Sequence, residues 1–350
     1  MKTDFPLLIN KAKLLIDKGH YLEGEQILLQ ICETKITEEN YNDIIDAKNL
    51  LGRSIWLKGN YDKALTIFTE SIRISKQFKY KSGEGFANVF IASILKHKGQ
   101  YNEAIDILNK TLTLSNTHND IITHGVAIKD LGWIFWLLGQ LEKSKTILLD
   151  GLTIWETIND SNILSEAKKG FGLLDNYVAL TGVLTDLNEY LEADKYLEKA
   201  KLLEKSLKLA TTKVVIEYFS GYLEKAKNNY SSAMDYFNNA IKLAEKTKRY
   251  EYHLRSLFDL AELNFLEFKN KNELIYLERV HANLKILEKI AQRENLQPIL
   301  IKVVDLLSKS FIEEEFNFTN SDGKRIEKND MDDFLKYLKT IKDMIRKLPT

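Results

Sequence analysis

The sequence predicts an all-α protein built as a right-handed superhelical solenoid of antiparallel helix pairs. Three observations predict it. A Gly-x-aromatic turn returns at Gly19, Gly59 and Gly99, with Leu141 in place of the aromatic after Gly139, and as Asn-x-Tyr at Asn188 and Asn228. The spacings are 40, 40, 40, 49 and 40 residues. Between the turns, apolar residues keep a helical period, and only 3 prolines interrupt 350 residues.

Each element of the repeat has a physical reason. The Gly or Asn that follows a first helix can adopt the left-handed conformation that ends it. The aromatic at Tyr21, Tyr61, Tyr101, Tyr190 and Tyr230 fills the angle between the two helices. Three residues later stands a small side chain: Gly24, Ala64, Ala104, Ser144, Ala193 or Ala233. Together with Gly52 on the facing helix, it lets two backbones approach. Four further on comes a large apolar residue, Leu28, Phe68, Leu108, Leu148, Leu197 or Phe237, to fill the space between hairpins. Ser71, Thr111, Gly151, Ala200 and Ala240 follow as smaller residues. One hairpin cannot bury both its faces, so its neighbours must stack on it.

The chain in order gives an array over 1–295 of about seven hairpins, followed by a helical cap over 296–350. The connections SNTHND (115–120) and NDSN (159–162) supply Asn and Asp that can cap the helix that follows. Nine extra residues fall near 165–187, in the first helix of the fifth hairpin, either as added helix or with the helix broken at Gly170 and Gly172. After 250 the pattern decays, and KNKN at 269–272 serves as the turn. Pro298 suits the first turn of the helix over 296–312. A polar loop is expected over 313–329, then a last amphipathic helix through Phe334, Leu338, Ile341, Ile345 and Leu348 that closes the solenoid.

Composition excludes several classes of function. Lys plus Arg equals Asp plus Glu at 50 each, which argues against a wholesale nucleic-acid binder or an anionic-membrane binder. No run approaches the roughly 18 apolar residues of a membrane span, and the N-terminus lacks a secretory pattern. One cysteine, Cys32, cannot form an internal disulfide and reads as a buried small hydrophobe. These features predict a cytoplasmic protein.

The set of repeat residues resembles the tetratricopeptide repeat family. The fullest match is Leu51-Gly52, Ile55, Gly59-Asn60-Tyr61, Ala64, Phe68 and Ser71; the next is Leu131-Gly132, Phe135, Gly139-Gln140-Leu141, Ser144, Leu148 and Gly151. The family's usual period is about 34 residues. A period of 40 lengthens each helix by nearly one turn, as in signalling scaffolds and the sensor domains of bacterial regulators.

The resemblance implies that the first helix of each hairpin lines a concave groove that holds a protein or peptide ligand. Carried over repeat by repeat, the lining is Asn49, Arg53 and Trp56; then Phe86, Val89, Ser93 and Lys96; then Lys129, Trp133 and Trp136; then Tyr218 and Tyr222. The alternative for the aromatics is packing between repeats. The pair Asn49 and Arg53 does not reproduce the clamp by which some family members hold a chaperone's acidic C-terminus. The lining suits an extended segment with apolar anchors and some acidic character.

No catalytic constellation, metal site or cofactor motif is expected. The six histidines are scattered, His118 and His124 straddle a loop, and Asp322-Gly323-Lys324 lacks the rest of a nucleotide motif. The reading is therefore a non-enzymatic scaffold that binds a peptide or helix in the groove. A peptide-sensing regulatory receptor of the bacterial type is the alternative, and an enzyme, like the peptide-controlled response-regulator phosphatases of the family, a lesser one. Self-association is also possible.

Overall fold

The computed structural model describes residues 4–158, 166–207, 209–271 and 273–312. Among them the chain forms fifteen helices. They pair in sequence as α1 (Phe5–Asp17) with α2 (Tyr21–Cys32), α3 (Tyr41–Leu57) with α4 (Tyr61–Gln77), and α5 (Lys81–Lys98) with α6 (Tyr101–Thr117). Then come α7 (Ile121–Leu137) with α8 (Leu141–Thr157), α9 (Glu166–Asp186) with α10 (Tyr190–Leu207), and α11 (Ala210–Ala226) with α12 (Tyr230–Thr247). The chain continues through α13 (Tyr250–Lys271), α14 (Leu274–Arg293) and α15 (Gln297–Ile312). Two 17-residue helices such as α3 and α4, each followed by a three-residue connection, account for the 40-residue period.

The turns behave as their residues require. Gly19, Gly59, Gly99 and Gly139 have φ between 72 and 87°, and Asn188 and Asn228 adopt 62 and 64°. At the second turn the Asn60 N–H donates to Ile55 O (3.2 Å) and the Gly59 N–H to Trp56 O (2.8 Å), satisfying the last carbonyls of α3. Asn60 then caps α4 by accepting from the Lys63 N–H (3.2 Å), and Asp120 caps α7 by accepting from the Thr123 N–H (3.1 Å).

The framework positions are buried in all six hairpins from α1 to α12. The small residue after the turn and the large residue four positions on are at most 3 % exposed wherever their exposure is resolved, Leu197 being the highest. A β-carbon on Gly52 would lie 2.7 Å from the Phe68 ring, so the aromatic occupies the space that the glycine leaves. Losing the Phe68 ring would cost about 3–5 kcal/mol.

The irregular hairpin differs in part from expectation. Helix α9 is continuous through Gly170 and Gly172, and is 21 residues long against 17 for α7. Four of the nine extra residues thus fall within the described helix. Glycine is tolerated there because the ring of Trp155 occupies its place: a β-carbon on Gly172 would lie 2.4 Å from that indole.

The chain divides into two compact units, 1–253 and 254–350. The division falls where the Gly-x-aromatic turn stops recurring. In the first unit α1, α3, α5, α7, α9 and α11 contact one another in succession and form an inner wall, while the second helices lie between them. This array meets itself. The Thr211 hydroxyl donates to the carbonyl of Asp17 (2.7 Å), 194 residues away. Tyr250 covers the turn at Gly59, where a β-carbon would lie 2.2 Å from its ring. His97 Nε2 lies 3.6 Å from a Glu251 carboxylate oxygen. In the second unit α14 packs on α15, with Val280, Leu284, Leu287, Val303 and Leu306 buried, and Lys302 lies over the Phe258 ring. The loop expected over 313–329 and the last helix lie outside the described residues.

Candidate functional site: the inner wall of the helical array

The inner wall is built by the first helices, whose residues are therefore apolar on more than one side. In α7 every residue from Asp130 to Trp136 is buried. The residues expected to line the groove fall into three groups along this wall.

In the first, Asn49 is a clasp between helices. Its amide donates to Gly83 O (3.0 Å) and its Oδ1 accepts from the Ser71 hydroxyl (2.6 Å). Arg53 directs both terminal nitrogens at one oxygen of Asp17 (3.0 Å each) and remains partly accessible. Trp56 is half-buried, edge-on to Phe90, which in turn touches Phe86.

In the second, a buried Asp130 gathers the polar groups of α5 and α7. It accepts from Lys129 (2.8 Å), Lys96 (3.3 Å) and Ser93 (3.2 Å). Burial opposes ionisation of this carboxyl, but Lys129 and Lys96 outweigh it and hold its pKa below the usual carboxylate range. Burial likewise opposes the charge on Lys129, and Asp130 with Asp175 more than offsets it, so the lysine pKa is raised.

The third group is aromatic. Trp133 and Trp136 are 4 % and 8 % exposed, and pack on each other and on Phe219. Asp186 accepts from the Trp136 Nε1–H and from the Tyr222 hydroxyl, both at 2.6 Å. Tyr218 is buried against Phe219, Phe237 and Tyr252. For Trp133, Trp136 and Tyr218 the structure thus realises packing between repeats. Rings this large fill the space that longer helices open along the wall.

The structure also brings in residues that the repeat pattern does not indicate. Asp17 and Asp130 are the partners of Arg53 and of the lysines. Arg249, just before α13, lies over the Tyr252 ring. Asp175, on α9, is open to water but set among protein on most sides, as a group on a concave surface is. Desolvation raises its pKa, and Lys129, Arg249 and Arg53 around it pull the other way. Among the described residues it makes no hydrogen bond or ion pair. The adjacency Lys129-Asp130 was a legible signal for one of these acids; Asp175 sits in the irregular helix, where no other repeat offers a position to compare.

Among the described residues no group of three or more His, Cys, Asp or Glu could hold a metal ion, and no helix is long and apolar enough to cross a membrane. Cys32 is half-buried, and burial pushes its thiol up to about 11.

These features define a class, a helical-repeat solenoid with a polar and aromatic inner wall. A family profile for the tetratricopeptide repeat matches residues 87–118, which is α5 from its Ala87 and all of α6. A Rap protein crystallised with the competence and sporulation factor superposes with a TM-score of 0.57 at 14 % identity, covering 98 % of each chain. The apo form of RapI gives 0.52 at 12 % identity, over 83 % of this chain and 100 % of that one. A signal-transduction ATPase from Pyrococcus horikoshii with a tetratricopeptide repeat sensor gives 0.50 at 13 % identity, over 89 % of this chain and 49 % of its own. No curated protein sequence matches. The array has the fold of a tetratricopeptide-repeat solenoid, an architecture suited to protein interaction.

Proposed function

We propose that the chain is a non-enzymatic interaction protein that binds a peptide or a helix of a partner along the inner wall of its first unit. The observation that carries this reading is Asp175, an accessible carboxylate left without a partner among Lys129, Arg249 and Arg53. Desolvation of this carboxylate is only partly offset by those cations, which is costly to folding, and a ligand that pairs with it directly would offset the rest. A basic group of the ligand pairs with Asp175, and a carboxylate with Arg249 or Lys129. Trp56, Phe86 and Tyr222, each half-buried, offer apolar contact beside these charges. Asn49, Ser93, Lys96, Trp133, Trp136 and Tyr218 shape the wall and hold its charged groups in place. The Rap protein crystallised with the competence and sporulation factor supports the reading as a neighbour in fold.

The test is affinity capture with quantitative mass spectrometry, comparing the wild type with Asp175→Lys and Arg249→Glu, each checked for folding by circular dichroism. Both variants are expected to lose the same set of captured proteins or peptides. Unchanged capture by both would refute the wall as the binding surface.

A second reading, a peptide-sensing receptor, is favoured by the contacts through which the array meets itself. Thr211 on Asp17 and Tyr250 on Gly59 are few enough for a ligand to shift. Small-angle scattering with and without a captured peptide separates the two: a change in radius of gyration supports a receptor, and an unchanged curve a rigid scaffold.

A further inference from the structure

The outer face of the first hairpin is built as an acceptor for another helix. In each hairpin from the second to the sixth the residue twelve positions before the turn Gly or Asn is buried: Ala47, Ala87 and Ala127 at 0 %, Asn176 at 0 % and Ile216 at 7 %. The residue five positions before it is buried as well, as Ser54, Ile94, Ile134, Val183 and Leu223. Ser54 shows what covers this side, because its hydroxyl donates to Glu25 of the preceding α2 (2.6 Å). In α1 the same two positions are Leu7 and Leu14, which are 64 % and 51 % exposed.

A third position repeats the pattern in charge. The residue just before the turn is a lysine in three later hairpins, and each reaches an acid on the second helix of the hairpin before. Lys58 pairs with Glu25 (2.7 Å), Lys98 with Asp62 (2.6 Å) and Lys227 with Asp194 (2.7 Å). Lys18 is the equivalent in α1; it is exposed and makes no ion pair among the described residues. With Lys11 it shares one helical face with Leu7 and Leu14, since spacings of 4, 7 and 11 residues return to the same side of a helix.

The exposed face of α1 presents two leucines and two lysines that make no ion pair among the described residues, in the arrangement by which α3, α5 and α11 receive a helix. We infer that the face formed by Leu7, Lys11, Leu14 and Lys18 docks an acidic amphipathic helix from a partner protein, seated on α1 as α2 is seated on α3. Charge decides among occupants. A second copy related by a two-fold axis that paired Leu7 with Leu14 would bring Lys11 close to Lys11 in an antiparallel α1 pair, which is repulsive, whereas an acidic helix satisfies both lysines.

The array supplies its own probe. The α2 segment, residues 20–33, carries Glu23, Glu25 and Glu33 with no Lys or Arg, and it already seats on α3. A helix-stapled, end-blocked peptide of that sequence with Cys32→Ser is titrated into the full chain by fluorescence anisotropy. Saturable binding is expected, weakened by about tenfold or more in Leu7→Glu and in Leu14→Glu, whose exposed positions leave folding intact. Lys18→Glu is expected to weaken it by roughly fivefold, with recovery when the peptide carries Glu25→Lys. Absence of saturable binding, or binding that the leucine variants leave unchanged, overturns the proposal. So does a dimer by sedimentation equilibrium that Leu7→Glu abolishes, which would make the occupant a second copy.

Discussion

Helices α1 and α3 are the same element 40 residues apart, and they meet opposite environments. Ser54 in α3 is fully buried, whereas its counterpart Leu14 is 51 % exposed. The more apolar residue is the more exposed one. In a solenoid, burial belongs to the neighbour that a residue is given rather than to the residue itself, because each hairpin is covered only by the one stacked on it.

The sharpest way to break this comparison is to truncate equivalent side chains. Ile134→Ala, in α7, is expected to cost about 2–5 kcal/mol in chemical denaturation, and Leu14→Ala, its counterpart in α1, less than about 0.5 kcal/mol. Comparable losses would mean that α1 is already covered in the isolated chain. A smaller difference should separate the lysines. Lys58→Ala removes a pair whose acid is largely buried and should cost roughly 0.5–1 kcal/mol, while Lys18→Ala should leave denaturation unchanged.

The inner wall gives a pH-dependent version of the test. Desolvation raises the Asp175 pKa in the folded chain, so ionisation there opposes folding at neutral pH. The folded state holds the proton more tightly than the unfolded state, so this destabilisation is present above the raised pKa and fades as pH falls towards the usual carboxylate value. Asp175→Asn is therefore expected to raise the melting temperature at pH 7, and the gain should shrink on acidification. A gain independent of pH would mean that the group's charge is not what costs stability. The smallest effect concerns Cys32. With its thiol pushed up to about 11, alkylation at pH 8 should be slow in the folded chain and fast after denaturation, as read by mass spectrometry.

Much of the fold was legible because it repeats. Gly59 and Asn228 announce left-handed turns, and Ala64 with Phe68 announces a close crossing, since the same packing problem is solved six times. The candidate site was less legible, because its residues differ from copy to copy. Nothing in the sequence near Asn49 indicates that its amide is spent on Gly83 and Ser71, or that Asp186 ties Trp136 to Tyr222. Such partners depend on the angle between helices, which the repeat pattern does not encode. Tyr250 on Gly59 is harder still, since it depends on curvature accumulated over several hairpins.

That contact has a consequence for how the first unit comes apart. An open array of repeats frays from its ends, and each repeat feels only the two beside it. When Asp17 holds Thr211 and Gly59 lies under Tyr250, the earliest hairpins are tied to late ones. Melting one end then exposes surface on the other. The unit is expected to trade the sequential unzipping of a linear repeat for a single cooperative transition, which native amide exchange nearly even from the first hairpin to the sixth would show.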